Sequence, residues 1–104
     1  MYGLSAKTQH QLKKIFQSFQ NIEKVILFGS RAKGDFKEGS DIDFAIVGKN
    51  IDLDLLLEIK IKIDELDLVY MIDMVDYESI ENAALKEHID RVGKVFFKRP
   101  EARF

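Results

Sequence analysis

The chain lacks cysteine entirely, and that absence removes disulfide staples, thiolate catalysis and thiolate zinc sites together. It fits a reducing compartment, and a cytoplasmic location is the expectation. No run approaches the roughly 18 apolar residues that a membrane span needs. The first residues carry no apolar leader segment, so the chain reads as soluble and unexported. Charge of one sign is also scarce in net terms: the formal balance is −2, too small for a global field that draws the chain to nucleic acid or anionic membrane. Phosphate binding therefore has to be local, and direct nucleic-acid binding is not expected. Repeats and low-complexity tracts are absent as well.

What is present suits one core. The chain has 104 residues, 46% of them hydrophobic, with eight phenylalanines, which fits a compact globule covering 1–104 as a single domain. From Leu4 to about Gln20 the apolar residues Leu12, Ile15, Phe16 and Phe19 recur at three- and four-residue steps, which predicts an amphipathic helix capped by Ser5. Ile22 to Phe28 is a β-branched and aromatic run that stops at Gly29, a first strand. Ser30 to Lys33 suits one short helical turn, and Gly34 to Ser40 a polar loop.

Asp41 to Val47 reads as the second strand, with Ile42, Phe44 and Ile46 on one face and Asp41, Asp43, Ala45 and Val47 on the other. Ile51 to Leu66 is expected to be a helix capped by Asn50 or Asp52, with Leu55, Leu56, Ile59, Ile63 and Leu66 inward. The alternation Ile59-Lys60-Ile61-Lys62-Ile63 also suits a strand, and length decides for the helix. Leu68 to Val75 follows as a third strand. Tyr77 to Val92 is expected to form the last helix, with Asp76 at its N-cap, Ile80, Ala84, Leu85, Ile89 and Val92 buried and Gly93 at C′. His10 and His88 fall on polar faces and read as solvated. Lys94 to Pro100 suits an edge strand or a docked tail, and Phe96, Phe97 and Phe104 are more apolar than a free tail requires.

The chemistry concentrates between Val25 and Val47. A strand ends in Gly29-Ser30, and a second strand opens with carboxylates at Asp41 and Asp43, which the period of two places on the same face, roughly 6.5–7 Å apart at Cα. Two anions held together call for a cation. Backbone N–H groups after Gly29, with the Ser30 hydroxyl, suit a phosphate oxygen. Asp73 is a third carboxylate inside an otherwise apolar strand, with Asp76 its rival. Such a set suits magnesium, a hard cation that takes oxygen ligands and keeps substrate phosphates in its shell. A P-loop is excluded because Asp35-Phe36 follows Gly34 where Lys-[Ser/Thr] would stand, and no Gly-x-Gly-x-x-Gly is present.

Gly29-Ser30, a ten-residue spacer and Asp41-Ile42-Asp43 resemble the signature of the DNA polymerase β-type nucleotidyltransferases. The form Gly-Ser-Arg-Ala-Lys-Gly and the small size resemble the minimal nucleotidyltransferases (MNT) that act as antitoxins in HEPN/MNT toxin–antitoxin pairs. The resemblance implies an α/β fold, a small mixed β-sheet of three to four strands flanked by helices in α-β-α-β-α-β order. It implies a nucleotidyltransferase with Asp41, Asp43 and Asp73 as catalytic and metal-ligating residues, two Mg2+ ions, and Gly29, Ser30 and Arg31 (or Lys33) at the phosphates of ATP. It further implies AMP transfer to a tyrosine of a cognate HEPN-domain toxin encoded by a neighbouring gene. The alternatives are an antitoxin that works by binding alone, for which apolar surface near Phe96 and Phe97 would matter, and a transferase acting on an aminoglycoside-like small molecule. Nucleotide preference and oligomeric state are not readable from the residues.

Overall fold

A computed structural model describes residues 2–100 of the chain. Helix α1 is Ala6–Gln17, and Ser5 caps it by accepting the Thr8 amide at 3.0 Å. It buries Leu12 and Phe16, the inward positions of the four-residue step. Strand β1 is Ile22–Phe28 and strand β2 is Ile42–Gly48. Between them a single turn, α2, covers Ser30–Lys33. Helix α3 is Leu53–Asp64, capped by Asp52 on the Leu55 amide at 2.8 Å. Strand β3 is Ile72–Asp76, helix α4 is Ala83–Val92 and strand β4 is Lys94–Lys98.

The strands form one mixed sheet in the order β3-β2-β1-β4. β1 is antiparallel to both β2 and β4, whereas β2 and β3 run parallel because α3 crosses over between them. One face carries Val25, Leu27, Phe44, Ile46 and Phe96 and is covered by α1 and α3. Its aromatic centre is edge-on: Phe16 lies 5.2 Å from Phe44 and 6.2 Å from Phe96, ring centre to ring centre. The other face carries Phe28 and Ala45 beneath Ile89 of α4. The expected architecture is therefore the observed one, with the edge strand present as the fourth.

Beyond shifts of one to three residues at the ends of α1, β2 and α3, four boundaries and placements differ from the sequence reading. β3 begins at Ile72 rather than Leu68, because its only neighbour, β2, begins at Ile42 and pairs from Ile42↔Ile72 onward. Before Ile72 the Met71 carbonyl still accepts the Ile42 amide at 2.9 Å, but no ladder pair precedes Ile42↔Ile72, and Asp67 takes a left-handed φ of 53°. The last helix is split. Asp76 caps only a 3₁₀ turn, Tyr77–Ser79, through the Glu78 amide and the Ser79 hydroxyl, and Asn82 starts α4 by accepting the Leu85 amide at 3.0 Å. That later start leaves Ala84 exposed. Gly93 is not in a left-handed cap: its φ is −62°, and it is needed because a side chain there would strike the Ile89 carbonyl and the Ile26 methyl. Finally, Phe96 is buried in the core, so it offers no spare surface to a partner. Phe104 lies outside the described residues.

Candidate active site

β1 ends, and β2 and β3 begin, at the same end of the sheet. Register then settles which side chains meet. Phe28 stands opposite Asp43, and Asp43 stands beside Asp73 on the parallel neighbour, so the two carboxylates share a face on strands about 4.8 Å apart. Asp41 stands one residue before β2 rather than inside it, and its charge still acts on Asp43. The third carboxylate is therefore Asp73, while Asp76 sits at the far end of β3 as a capping residue. None of the three carboxylates at this end has an ion-pair partner among the described residues.

Gly29 makes the close approach possible. Its φ of 76° and ψ of −156° lie in a region essentially confined to glycine. A Cβ there would collide with the Asp43 carboxylate, whose Cγ would be only 3.3 Å away. The turn is thus packed directly against the central carboxylate. Hydrogen bonds of α2 are donated by Lys33 to Gly29 and by Gly34 to Ser30, so the first amides of the turn have no intrahelical acceptor, as at any helix start. Gly29→Ala should cost about 1–3 kcal/mol in backbone strain and push Asp43 out of line. A thermal melt and a transfer assay check it: a lowered Tm together with a rate loss of about 10²-fold is expected, and unchanged activity would show that the contact with Asp43 is incidental.

The central carboxylate feels the other two. Asp43's carboxyl is held above its ordinary 3.8, first by burial, then by the charges of Asp73 and Asp41, with His88 acting in the opposite sense. His88 is not the solvated residue the helical pattern suggested: it is half-buried, with its ring 6.2 Å from Phe28. Its position beside the inward Ile89 and three residues after Leu85 was the available signal. His10 stays exposed, as expected.

Arg31 goes elsewhere. Only 2% of it is exposed. Its guanidinium donates to the carbonyls of Tyr2 at 2.8 Å, Glu38 at 3.3 Å and Ser40 at 2.9 and 3.2 Å. Its faces meet Phe36 and Tyr70, 5.1 and 4.7 Å from the ring centres. It therefore holds the loop that delivers Asp41, and its donors are directed at backbone rather than at the turn's mouth. Lys33 stays at the surface in an exposed pair with Asp35 at 3.5 Å, a contact worth little.

The donor set is all oxygen, which is the chemistry of a hard cation. No three His, Asp or Glu side chains among the described residues are gathered tightly enough to enclose an ion by themselves. A cation that retains water and phosphate in its shell asks for only one or two carboxylates from the protein, so the residues fit magnesium held jointly with a nucleotide. No helix among the described residues is long and apolar enough to cross a membrane.

The family described as Polymerase beta, Nucleotidyltransferase matches residues 10–102. A curated Methanocaldococcus jannaschii protein named "putative protein adenylyltransferase" is 50% identical over 42 residues, 40% of this chain and 41% of that one. The match thus spans less than half the length of that relative. A chain of a toxin–antitoxin crystallised with AMP-PNP superposes with a TM-score of 0.71 at 24% identity, over 88% of this chain and 73% of that one. A chain of the Shewanella oneidensis complex of tri-AMPylated HEPN toxin with MNT antitoxin superposes with a TM-score of 0.66 at 22% identity, over 89% and 71%. These superpositions show the fold.

Proposed function

Because this chain belongs to the polymerase β-type nucleotidyltransferase family, we propose that it transfers AMP from ATP to a tyrosine of a HEPN-domain toxin, and so acts as that toxin's antitoxin. The observation that carries the reading is the register of Asp43 beside Asp73 under a glycine turn that no side chain could replace. The neighbouring complexes, one with AMP-PNP and one with an AMPylated HEPN toxin, support the nucleotide and the acceptor.

In this reading the amides after Gly29 and the Ser30 hydroxyl hold the terminal phosphates, with Lys33 as the basic side chain left at the surface to offset their charge. Asp41, Asp43 and Asp73 would hold magnesium, which when bound neutralises phosphate charge and aligns the attacking and leaving oxygens. The acceptor hydroxyl attacks the α-phosphorus, the bond to the bridging oxygen breaks, and pyrophosphate departs. Asp73, near the start of the edge strand β3, would receive the acceptor's proton. Arg31 keeps Asp41 in position through the Ser40 carbonyl. The acceptor then comes from another protein, a reading that the complex with an AMPylated HEPN toxin supports.

The test incubates the chain with the protein encoded by the adjacent reading frame, ATP and magnesium, and weighs that protein intact. A gain of adenylyl mass on a tyrosine, absent with Asp41→Asn, is the expected result. An unmodified partner, or one modified equally by the variant, would sink the reading.

A further inference from the structure

Among the described residues, three of the six large apolar side chains left exposed lie on one helix, the others being Val69, Met71 and Val95. Leu53, Leu57 and Ile61 of α3 are 76%, 58% and 55% exposed. Four-residue spacing puts all three on one face, the side opposite Ile59 and Ile63, which are buried. The stripe does not end with the helix. Leu53 is also the lip of an open groove of about 440 Å³ between α3 and the Tyr77–Ser79 turn, whose floor includes Leu56, Val75 and Ile80. A continuous ridge and groove of this kind on an otherwise charged surface is how a protein contact site presents itself.

The surroundings of this face identify the occupant. Asp54 and Glu58 follow Leu53 and Leu57 by one position along the helix, and Asp52, Asp76 and Glu81 rim the groove. Against these, α3 sets two lysines, of which Lys60 is drawn to Asp64 at 3.4 Å. The face is therefore apolar at its centre and anionic at its margin. That excludes nucleic acid and anionic lipid. It also disfavours a second copy of this chain, which would bring the same carboxylates against it.

We propose that the exposed face of α3, with its groove, docks a protein that presents an apolar ridge flanked by lysine and arginine, and that this protein is the one carrying the acceptor hydroxyl; the last clause rests on the function proposed above. The location suits the division of labour. α3 covers the Phe44 face of the sheet, whereas Asp43 and Asp73 lie on the α4 face. A partner on α3 leaves the carboxylates uncovered and sits next to β3, the edge strand that carries Asp73. The acceptor segment has to pass around that edge and along β3, because the groove lies at the Asp76 end of the strand and the carboxylates at the other.

The experiment measures binding of the protein encoded by the adjacent reading frame to the full chain by titration calorimetry. Leu57→Glu should weaken binding by about 30-fold or more, as for a central apolar contact. Asp54→Lys with Glu58→Lys should slow association and flatten its salt dependence. Val95→Glu, at a residue 56% exposed on β4 away from this face, should bind as the parent does. If Leu57→Glu proves to melt early, Leu53→Lys takes its place. Asp41→Asn separates the two readings. Binding that depends on Leu57 without any transfer by the parent chain would defeat the transferase reading and leave the docking face standing. Parent and Leu57→Glu binding equally, no binding at all, or self-association of the parent abolished by Leu57→Glu would each overturn the docking proposal.

Discussion

Asp43→Asn should abolish transfer and at the same time make the ligand-free protein harder to melt. The rate loss expected is on the order of 10³-fold, the scale seen when a group organising transition-state charge is removed. The stability gain follows from the crowding of carboxylates. Burial and the charges of Asp73 and Asp41 raise the Asp43 pKa above 3.8. Within the window between its unfolded and folded values, the folded chain holds a proton that the unfolded chain has lost. Stability from this group therefore falls as pH rises through that window and is at its lowest near neutrality. Asparagine removes the charge and keeps the shape. The variant's Tm should exceed the parent's at pH 7, and the gap should close as pH is lowered through the folded Asp43 pKa.

Magnesium provides the counter-check: it should raise the parent's Tm and leave the variant's nearly unchanged, because the ligand that stabilises only the folded state has lost an anchor. Differential scanning calorimetry at several pH values, with and without magnesium, measures all of this. A variant that melts well below the parent at neutral pH would mean that Asp43 is structural, and the assignment of the site would fail with it.

Arg31→Ala should be the most destabilising single change at a charged position. Removing this side chain leaves the carbonyls of Tyr2, Glu38 and Ser40 without their donor and opens a void between Phe36 and Tyr70. Each buried acceptor left unsatisfied costs about 1–3 kcal/mol, against a total stability of about 5–15 kcal/mol for a native domain. Arg31→Lys should recover only part, because an ammonium cannot donate in a planar fork to three carbonyls while lying flat on two rings. Urea unfolding gives the magnitude. The same experiment tests the earlier expectation that Arg31 meets the nucleotide. A near-parental stability with a selective rise in KM for ATP would return Arg31 to the phosphates, whereas a fall in stability with the KM of the surviving folded fraction unchanged makes it a positioning residue.

Much of this site was readable in the residues because its signals are local. Gly29 announces a backbone no other residue tolerates, and Asp41 and Asp43 stand two residues apart where a strand begins. The Ser5, Asp52 and Ile22-to-Phe28 assignments hold for the same reason: caps and alternation depend on neighbours within four residues. The readings that moved depend on partners distant in sequence. Leu68 to Met71 have strand-forming residues but no strand opposite them, since β2 starts at Ile42. Arg31 looked like a surface cation because nothing nearby in sequence shows that Tyr2 and Tyr70 will close over it. Phe96 looked available to a partner until β4 paired with β1 and turned it into the core.

The Gly29 to Val47 stretch, by itself, pointed to the kind of chemistry proposed: a glycine turn suited to phosphate and two carboxylates suited to a hard cation, because both expectations follow from backbone conformation and a two-residue period. Only the tertiary structure set Asp73 beside Asp43, turned the Arg31 guanidinium to backbone carbonyls and left an exposed apolar stripe on α3. Those three facts are set by strand register and by which faces the sheet leaves uncovered, and neither is encoded within any one segment.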